Sequence, residues 1–295
     1  MKLLVTGASG LIGTALGKFL NAAGHTTIPL RRGETEEPCW DPEAEWVNLN
    51  GMTGIDGVIH LAGESLQGRW GAAKKKRILD SRVKGTRLVA ETLARMQPRP
   101  KVFISASAVG FYGHRGDQVV DETSSSGQGF LAEVCRQWEA AAAPAADAGI
   151  RVVHPRMGVV LSPNGGMLKA LLLPFKLGIG GVVGDGRQYL SWITIGDVNR
   201  IIAHILTTES IAGPVNLSTP NPVTNKQFTK TLGRVIRRPT VAPLPAYALK
   251  FALGEMADEM LLNSIRAVPT RVTASGYCFQ HSELEGALRH LMQEQ

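Results

Sequence analysis

Three glycines at the head of the chain have the spacing of a phosphate cradle. Lys2-Leu3-Leu4-Val5-Thr6 reads as a buried strand, Gly7, Gly10 and Gly13 follow, and a helical pattern runs on to about Ala23. In that order Gly7 permits a sharp turn out of the strand. Gly10 lets backbone approach a pyrophosphate with no Cβ in the way, and Gly13 lets the helix pack close to the sheet. The N–H groups of the first helical turn then face the anion, where the helix dipole favours negative charge. A strand before the glycines and a helix after them give the triplet a meaning it lacks alone.

A second feature of the same kind closes the next strand. His25–Leu30 reads as that strand and runs into Arg31-Arg32-Gly33, with no carboxylate until Glu34. Folds that hold a dinucleotide usually place an acidic residue here for the ribose 2′-hydroxyl. A guanidinium pair suits a 2′-phosphate instead, through charge-assisted bidentate bonds. The expected cofactor is therefore NADP(H) rather than NAD; the plainer reading makes Arg31 and Arg32 exposed loop cations without a ligand. Farther on, Gly57-Val58-Ile59-His60-Leu61-Ala62-Gly63 reads as a buried strand whose carboxyl end would lie beside the cofactor. Ala62 and Gly63 would let backbone lie against its adenine and ribose half, with Glu64 next in line. His60 reads as a packed strand residue rather than a base.

The elements that must position these residues alternate. Ala72–Met96 has helical periodicity and is closed by Pro98 and Pro100, and Lys101–Ser105 makes a strand that leads into Ser107-Ala108-Val109-Gly110-Phe111-Tyr112-Gly113. Gln128–Ala148 reads as one long Ala-rich helix with a kink at Pro144, and Ile150–Arg156 as a further strand. Repeated strand–helix alternation argues an α/β fold, a Rossmann-type doubly wound parallel sheet with helices on both faces. Beyond Leu161 the rhythm loosens. A helix is expected over Met167–Leu177, a glycine-rich loop over Gly178–Gly186 and strands over Leu190–Ile195 and Pro214–Leu217. Asp197 is expected to cap the helix Val198–Thr207, Asn225 to cap one reaching Ile236, and Ser282–Met292 to form the last helix. The expected division is a nucleotide-binding domain over 1–220, with 165–190 contributing to the substrate side, and a smaller, mostly helical substrate-side domain over 221–295.

Composition narrows the function. In 295 residues, 44% hydrophobic and 19% charged content are ordinary for a soluble globular protein. The apolar run Leu3–Val5 is cut short by Thr6-Gly7, so no signal peptide is expected. Lys169, Pro174 and Lys176 interrupt the longest apolar stretch, Met167–Val183, so no membrane span is expected. Cys39, Cys135 and Cys278 share no metal-ligand spacing, which argues against a metal site or a disulfide frame and for a cytoplasmic location. The net charge of +7 is scattered except for Lys74-Lys75-Lys76-Arg77, a run that reads as a solvated helix face. No nucleic-acid partner is expected, and a phosphorylated cofactor accounts for some of the excess.

Several of these segments resemble a known family. Thr6 to Gly13, His60-Leu61-Ala62-Gly63 and the serine-rich strand end at Ser105 and Ser107 resemble the short-chain dehydrogenase/reductase superfamily, in its extended epimerase/dehydratase-like branch. Leu61-Ala62-Gly63-Glu64, Ser81-Arg82, Trp138-Glu139-Ala140-Ala141, Leu173 to Gly178 and Trp192-Ile193 through Asp197 resemble an atypical "epimerase family" subgroup. That subgroup ends in a small domain of unknown function, which Pro269 to Leu288 resembles. The resemblance implies that Ser9, Gly10, Leu11 and Ile12 meet the pyrophosphate and that Arg31 and Arg32 meet the 2′-phosphate. It further implies that Leu61, Ala62, Gly63 and Glu64 line the adenosine and ribose side, that Arg82 lies against the cofactor and that Val160 approaches the nicotinamide. A small-molecule substrate is expected, and a monomer or homodimer.

The superfamily's proton chemistry rests on a Tyr-x-x-x-Lys pair on one helical face, with a Ser or Thr at a nearby strand end. None of the 4 tyrosines here has a lysine four residues on. Aligned through Trp138-Glu139, the tyrosine and lysine positions hold Leu131 and Cys135, a departure the resembled subgroup shares. Ser107 stands where the catalytic Ser or Thr is expected, with Ser105 as the alternative. Tyr112 is the only nearby phenol. The expected catalytic residues are thus Ser107, orienting a carbonyl or hydroxyl, and Tyr112, with Tyr112 or a water handling the proton; the plainer alternative has Tyr112 merely packing. Cys135 is a poor nucleophile, since no base is placed near it by sequence. Arg187, in a loop resembling one that contacts a nucleotide-sugar phosphate, reads as an anion contact or as part of a plain surface turn. Two functions fit: an NADP(H)-dependent oxidoreductase or epimerase acting on a small carbonyl, alcohol or sugar-derived compound, or an NADP(H)-binding sensor with little turnover.

Overall fold

Apolar strands alternating with amphipathic helices bury their surfaces by stacking helices on both faces of one sheet. The computed structural model describes residues 1–33 and 37–293; Glu34 and the start of the turn-rich stretch after it lie outside the described residues. In chain order the first part runs β1 (Lys2–Thr6), α1 (Leu11–Ala22), β2 (Thr26–Arg32), β3 (Cys39–Asp41), β4 (Trp46–Asn48), β5 (Gly57–His60), α2 (Ala72–Arg95), β6 (Val102–Ser105) and β7 (Ser107–Ala108). A 3-10 turn over Val109–Tyr112 and β8 (Val119–Val120) lead to α3 (Phe130–Ala140), α4 (Ala143–Asp147) and β9 (Arg151–Met157). The chain continues through β10 (Val159–Leu161), α5 (Gly166–Lys176), β11 (Tyr189–Leu190), β12 (Trp192–Thr194), α6 (Ile195–Thr207) and β13 (Gly213–Leu217). Last come β14 (Val223–Thr224), α7 (Asn225–Val235), α8 (Ala246–Leu253), α9 (Glu255–Ala257), β15 (Arg266–Ala267), α10 (Thr270–Ala274) and α11 (Leu284–Gln293).

The main sheet has the order β13-β9-β6-β5-β1-β2-β3-β4, with β7 also paired to β9. Every pairing in it is parallel except β3 with β4. This is a Rossmann-type doubly wound sheet. The chain leaves β1 for β2 on one side, while β5 lies on the other, so the strand order reverses between β1 and β5. Ligands of such sheets bind outside the carboxyl ends of the strands at that reversal.

Alternate residues of the strands feed two cores. Leu3, Val5, Ile59 and Ile104 pack with Leu16 and Leu20 of α1 and Ile201, Ile202 and Ile205 of α6. Leu4, Val58 and Phe103 face the other way, against Val89 and Leu93 of α2, Trp40, Ala142 and Ala145. A third core joins Leu161, Leu168, Phe175 and Trp192 to Phe228 and Leu232 of α7 and Leu284, Leu288 and Leu291 of α11. Among the described residues no helix is long and apolar enough to cross a membrane.

Four local expectations are corrected. The helix expected over Gln128–Ala148 is two helices, and Pro144 sits in the first turn of the second, where its missing N–H leaves no intrahelical bond unmade. Thr194, not Asp197, caps α6, its hydroxyl accepting from the Asp197 N–H. Thr224, one residue before Asn225, caps α7 in a reciprocal box with Gln227. β2 runs on through the two arginines because Arg31 and Arg32 pair with Cys39 and Trp40.

Candidate functional site

The loops after β1 and β5 meet at the strand-order reversal, and glycine makes the meeting possible. Gly7 has φ 67°, and a Cβ there would lie 2.8 Å from the Ala62 nitrogen and the Leu61 carbonyl carbon. A Cβ on Gly13 would lie 2.2 Å from the Gly7 oxygen, so only glycine lets α1 start this close to the turn. Thr6 pins the second loop, its Oγ1 accepting from the N–H groups of Leu61 at 3.2 Å and Ala62 at 3.3 Å. At Gly10 the helix α1 begins with no side-chain cap and no acidic residue in its first turn. Its first N–H groups, which have no intrahelical acceptor, are left for an anion; Ser9 and Gly10 are exposed there, and Leu11 and Ile12 half-buried.

A cavity of about 740 Å³ opens over this turn, walled by residues 7–10, 29–32, Trp40 and 61–64. That size is within the usual range for small-molecule sites. Arg31 and Arg32 are exposed at its rim, the Arg32 guanidinium 6.0 Å from the Trp40 ring centre. Across the cavity Glu64 takes a 2.6 Å bond from Lys74 Nζ, with Arg77 Nε at 3.6 Å. The Lys74 bond above all holds the Glu64 carboxyl below the usual carboxylate range. Arg82 reaches under the same loop: its Nη1 donates to the carbonyls of Glu64 at 3.1 Å and Ile78 at 3.2 Å, and its guanidinium stands 5.1 Å from the Trp138 ring centre. A Cβ on Gly63 would sit 3.3 Å from the Arg82 guanidinium carbon. Val160, half-buried, lies next to the Gly165-Gly166 turn, and a Cβ on Gly165 would come within 2.9 Å of the Leu11 side chain. The end of β10 is thereby brought to the first turn of α1.

On the far side of the reversal the structure joins Ser107 to partners that spacing did not reveal. Ser107 Oγ donates to Glu139 Oε1 at 2.6 Å. Arg156 grips the same carboxylate with Nε and Nη2, each at 2.8 Å, and is itself only 4% exposed. The Arg156 guanidinium lies 3.4 Å from the Phe111 ring centre, and its Nη1 donates to the Tyr112 hydroxyl at 3.1 Å. Tyr112 in turn donates to Asn216 Oδ1 at 2.8 Å.

Tyr112 is held inside this network. The ring is fully buried, its proton is committed to Asn216, and burial pushes the phenol above its ordinary range. Tyr112 braces Arg156, and Ser107 beside it is likewise buried, at 2% exposed. Ser105 is buried with its Oγ unpartnered among the described residues, opposite His60 in the sheet. Cys135 lies 3.7 Å from the Ala108 oxygen, and burial pushes its thiol up to about 12, which removes the thiolate a nucleophile needs. Arg187 is 91% exposed on a surface turn beside Asp185. Sequence reasoning missed Trp40, Glu139 and Arg156 as parts of the site. Glu139 stood in the Trp138-Glu139 segment and Arg156 at a strand end, yet nothing in their spacing links them.

Residues 3–217 match the description of the NAD dependent epimerase/dehydratase family, and residues 244–291 match a domain of unknown function, DUF1731. The chain belongs to the NAD-dependent epimerase/dehydratase family. Within it, epimerase family protein Mb2239 of Mycobacterium bovis is 43% identical over 288 residues, covering 96% of this chain and 95% of that protein. The crystal structure of human epimerase family protein SDR39U1 (isoform 2) with NADPH superposes with a TM-score of 0.93 at 34% identity, covering 100% of both chains. A nucleoside-diphosphate sugar epimerase from Corynebacterium glutamicum gives a TM-score of 0.82 at 38% identity, covering 99% of this chain and 58% of that one. Family membership fits the uncapped glycine turn and the cavity above it. The Leu131 and Cys135 positions of α3 and the Ser107–Glu139–Arg156 network are this chain's own observed arrangement within that family fold.

Proposed function

We propose that the cavity binds NADP(H) and that the protein oxidises or reduces a small carbonyl, alcohol or sugar-derived substrate, epimerisation by transient oxidation being one version. One observation carries the reading: an uncapped glycine turn and two exposed arginines border the same cavity. The turn suits a pyrophosphate and the arginines a 2′-phosphate. The human relative crystallised with NADPH lends support from outside this chain. In this reading Gly7, Ser9, Gly10, Leu11, Ile12 and Gly13 form the pyrophosphate cradle and Arg31 and Arg32 take the 2′-phosphate. Leu61, Ala62, Gly63, Glu64 and Arg82 border the ribose side, and Val160 lies towards the nicotinamide. When bound, NADP(H) supplies the hydride acceptor or donor.

Proton handling falls to Ser107 and Glu139. Because the Ser107 proton is given to Glu139, the serine presents its lone pairs and accepts a hydrogen bond from a substrate hydroxyl. As an alcohol is oxidised, its proton passes to Ser107 Oγ while the serine's own proton moves to Glu139; reduction runs the same path backwards. Arg156 fixes the carboxylate, and Tyr112 steadies Arg156.

Leu131 and Cys135, neither of which ionises near neutral pH, favour the second reading, an NADP(H)-binding sensor with little turnover. The two separate in a single assay: purified protein and NADPH are followed by the absorbance of the reduced nicotinamide against a panel of carbonyl compounds and sugar nucleotides. Turnover that falls about 100-fold or more in Ser107→Ala, with the NADPH Kd unchanged, supports the enzyme. Tight NADPH binding with no oxidation across the panel favours the sensor, and no binding at all overturns both.

A further inference from the structure

The helix α8 is apolar in composition and yet buries nothing. Lys250 is the one charged residue of Ala246–Leu253, and none of the 8 residues is buried. Phe251 is 86% exposed and Tyr247 76%, one turn apart on the same face. So short a helix is ordinarily held by packing its apolar face. This one turns its largest side chains outward.

A neighbouring segment extends the same surface. Residues 176–184 run beside 238–246: Arg238 Nε donates to the Lys176 carbonyl at 2.9 Å, and Val183 forms a bridge with Leu244. The Leu244 N–H donates to the Val182 carbonyl at 3.0 Å, and the Gly184 N–H to the Leu244 carbonyl at 2.9 Å. Leu173, Leu177 and Ile179 are exposed at the α5 end, and Val241, at 77%, on the facing segment. Single exposed apolar side chains are ordinary, but a group of them on adjoining segments marks a contact surface.

The charge here is one-sided. Residues 163–184 carry Lys169 and Lys176 and no acid. Residues 222–254 carry Lys226, Lys230, Arg234, Arg237, Arg238 and Lys250, again with no acid, although the chain holds 25 Asp and Glu. Acids from other segments meet its border: Glu285 bonds Arg234, and Asp258 bonds Lys250 at 2.8 Å. Apolar side chains set among cations match an anionic bilayer, whose headgroups attract Lys and Arg while the apolar groups enter the headgroup boundary. A second copy fits less well, because a two-fold contact would set this basic surface against itself.

We infer that this face, α8 with the end of α5 and residues 237–245, docks on the surface of an anionic lipid bilayer. Tyr247 and Phe251 enter the headgroup boundary, Leu177, Ile179 and Val241 flank them, and Lys169, Arg237 and Lys250 meet the anionic headgroups. Such a contact needs no spanning helix. None of these residues walls the cavity over the glycine turn, so the inference is independent of what that turn binds.

The test is co-sedimentation of the full-length protein with vesicles of phosphatidylcholine alone and with about one-third phosphatidylglycerol. The anionic vesicles are expected to bind about tenfold or more tightly than the neutral ones, and to release the protein as sodium chloride rises from about 0.1 M to about 0.5 M. Two variants, each checked for cooperative urea unfolding, separate the contributions. Tyr247→Ser/Phe251→Ser and Lys169→Gln/Arg237→Gln/Lys250→Gln are each expected to weaken anionic binding by about tenfold or more, whereas Arg31→Ala/Arg32→Ala leaves it unchanged. In Phe251→Trp, anionic vesicles with brominated acyl chains are expected to quench fluorescence that they leave unquenched in the wild type. No pelleting with anionic vesicles, equal pelleting with neutral ones, or pelleting that survives either variant of this face overturns the inference. A wild-type dimer that Tyr247→Ser/Phe251→Ser splits, without vesicle binding, also overturns it and assigns the face to a second copy.

Discussion

His60 shows how a single buried side chain shapes the pH response. Its Nδ1 is 2.7 Å from Thr6 Oγ1, Trp40 stands edge-on to the ring, and burial pulls the imidazole from 6.5 down to about 3. Between those values the unfolded chain binds a proton that the folded chain refuses, so stability falls as pH drops through that window. One such group contributes at most about 1.4 kcal/mol per pH unit. His154, also lowered by burial, acts in the same direction. The urea midpoint is expected to fall between about pH 7 and about pH 5, and His60→Gln to flatten that slope. A buried ion pair gives the second prediction at this scale. Glu139→Gln leaves Arg156 buried without its counter-charge and costs on the order of 3 kcal/mol in denaturant unfolding, whereas Tyr112→Phe costs about 1 kcal/mol. Ser107 could be singled out in the sequence because it follows a strand end. Glu139 could not, since an acid in an Ala-rich helix looks solvent-facing until the sheet brings Arg156 against it.

At the scale of elements, the glycine turn is the most exacting construction. Gly13→Ala forces a carbon to within 2.2 Å of the Gly7 oxygen, so either α1 or the turn must move. Fluorescence titration is expected to show an NADPH Kd at least tenfold higher, together with a lowered thermal midpoint. This turn was readable from three residues because its geometry is local, and the long helix Ala72–Arg95 was readable from its periodicity. Part of what escaped was set by contacts distant in sequence, and part by local choices among neighbouring residues. β2 continues through Arg31 and Arg32 because β3 is there to pair with them. Asp197 failed as a cap because Thr194 supplies the capping oxygen, while Thr194 and three groups from residues 277–281 claim the carboxylate. Pro144 separated two helices instead of bending one.

Over the whole molecule, strand–helix alternation foretold a doubly wound sheet, but the position of the cavity follows from strand order. Only the placement of β5 beside β1 brings Leu61 to Glu64 over Gly7. The sequence suggested a division near residue 220, yet Phe228, Leu232, Leu284 and Leu288 share one core with Leu161, Leu168 and Trp192. A chain ending at residue 220 would expose that apolar face, and it is expected to elute from a sizing column as aggregate while the full chain does not. The proposed site holds NADP(H) at the carboxyl ends of β1, β2 and β5, with Arg31 and Arg32 taking the 2′-phosphate. Its most direct test is equilibrium titration of the wild type and Arg31→Ala/Arg32→Ala with NADPH and with NADH. The variant's NADPH Kd is expected to rise by about ten- to a hundredfold while its NADH Kd moves by less than about twofold. Equal weakening of both cofactors would contradict it.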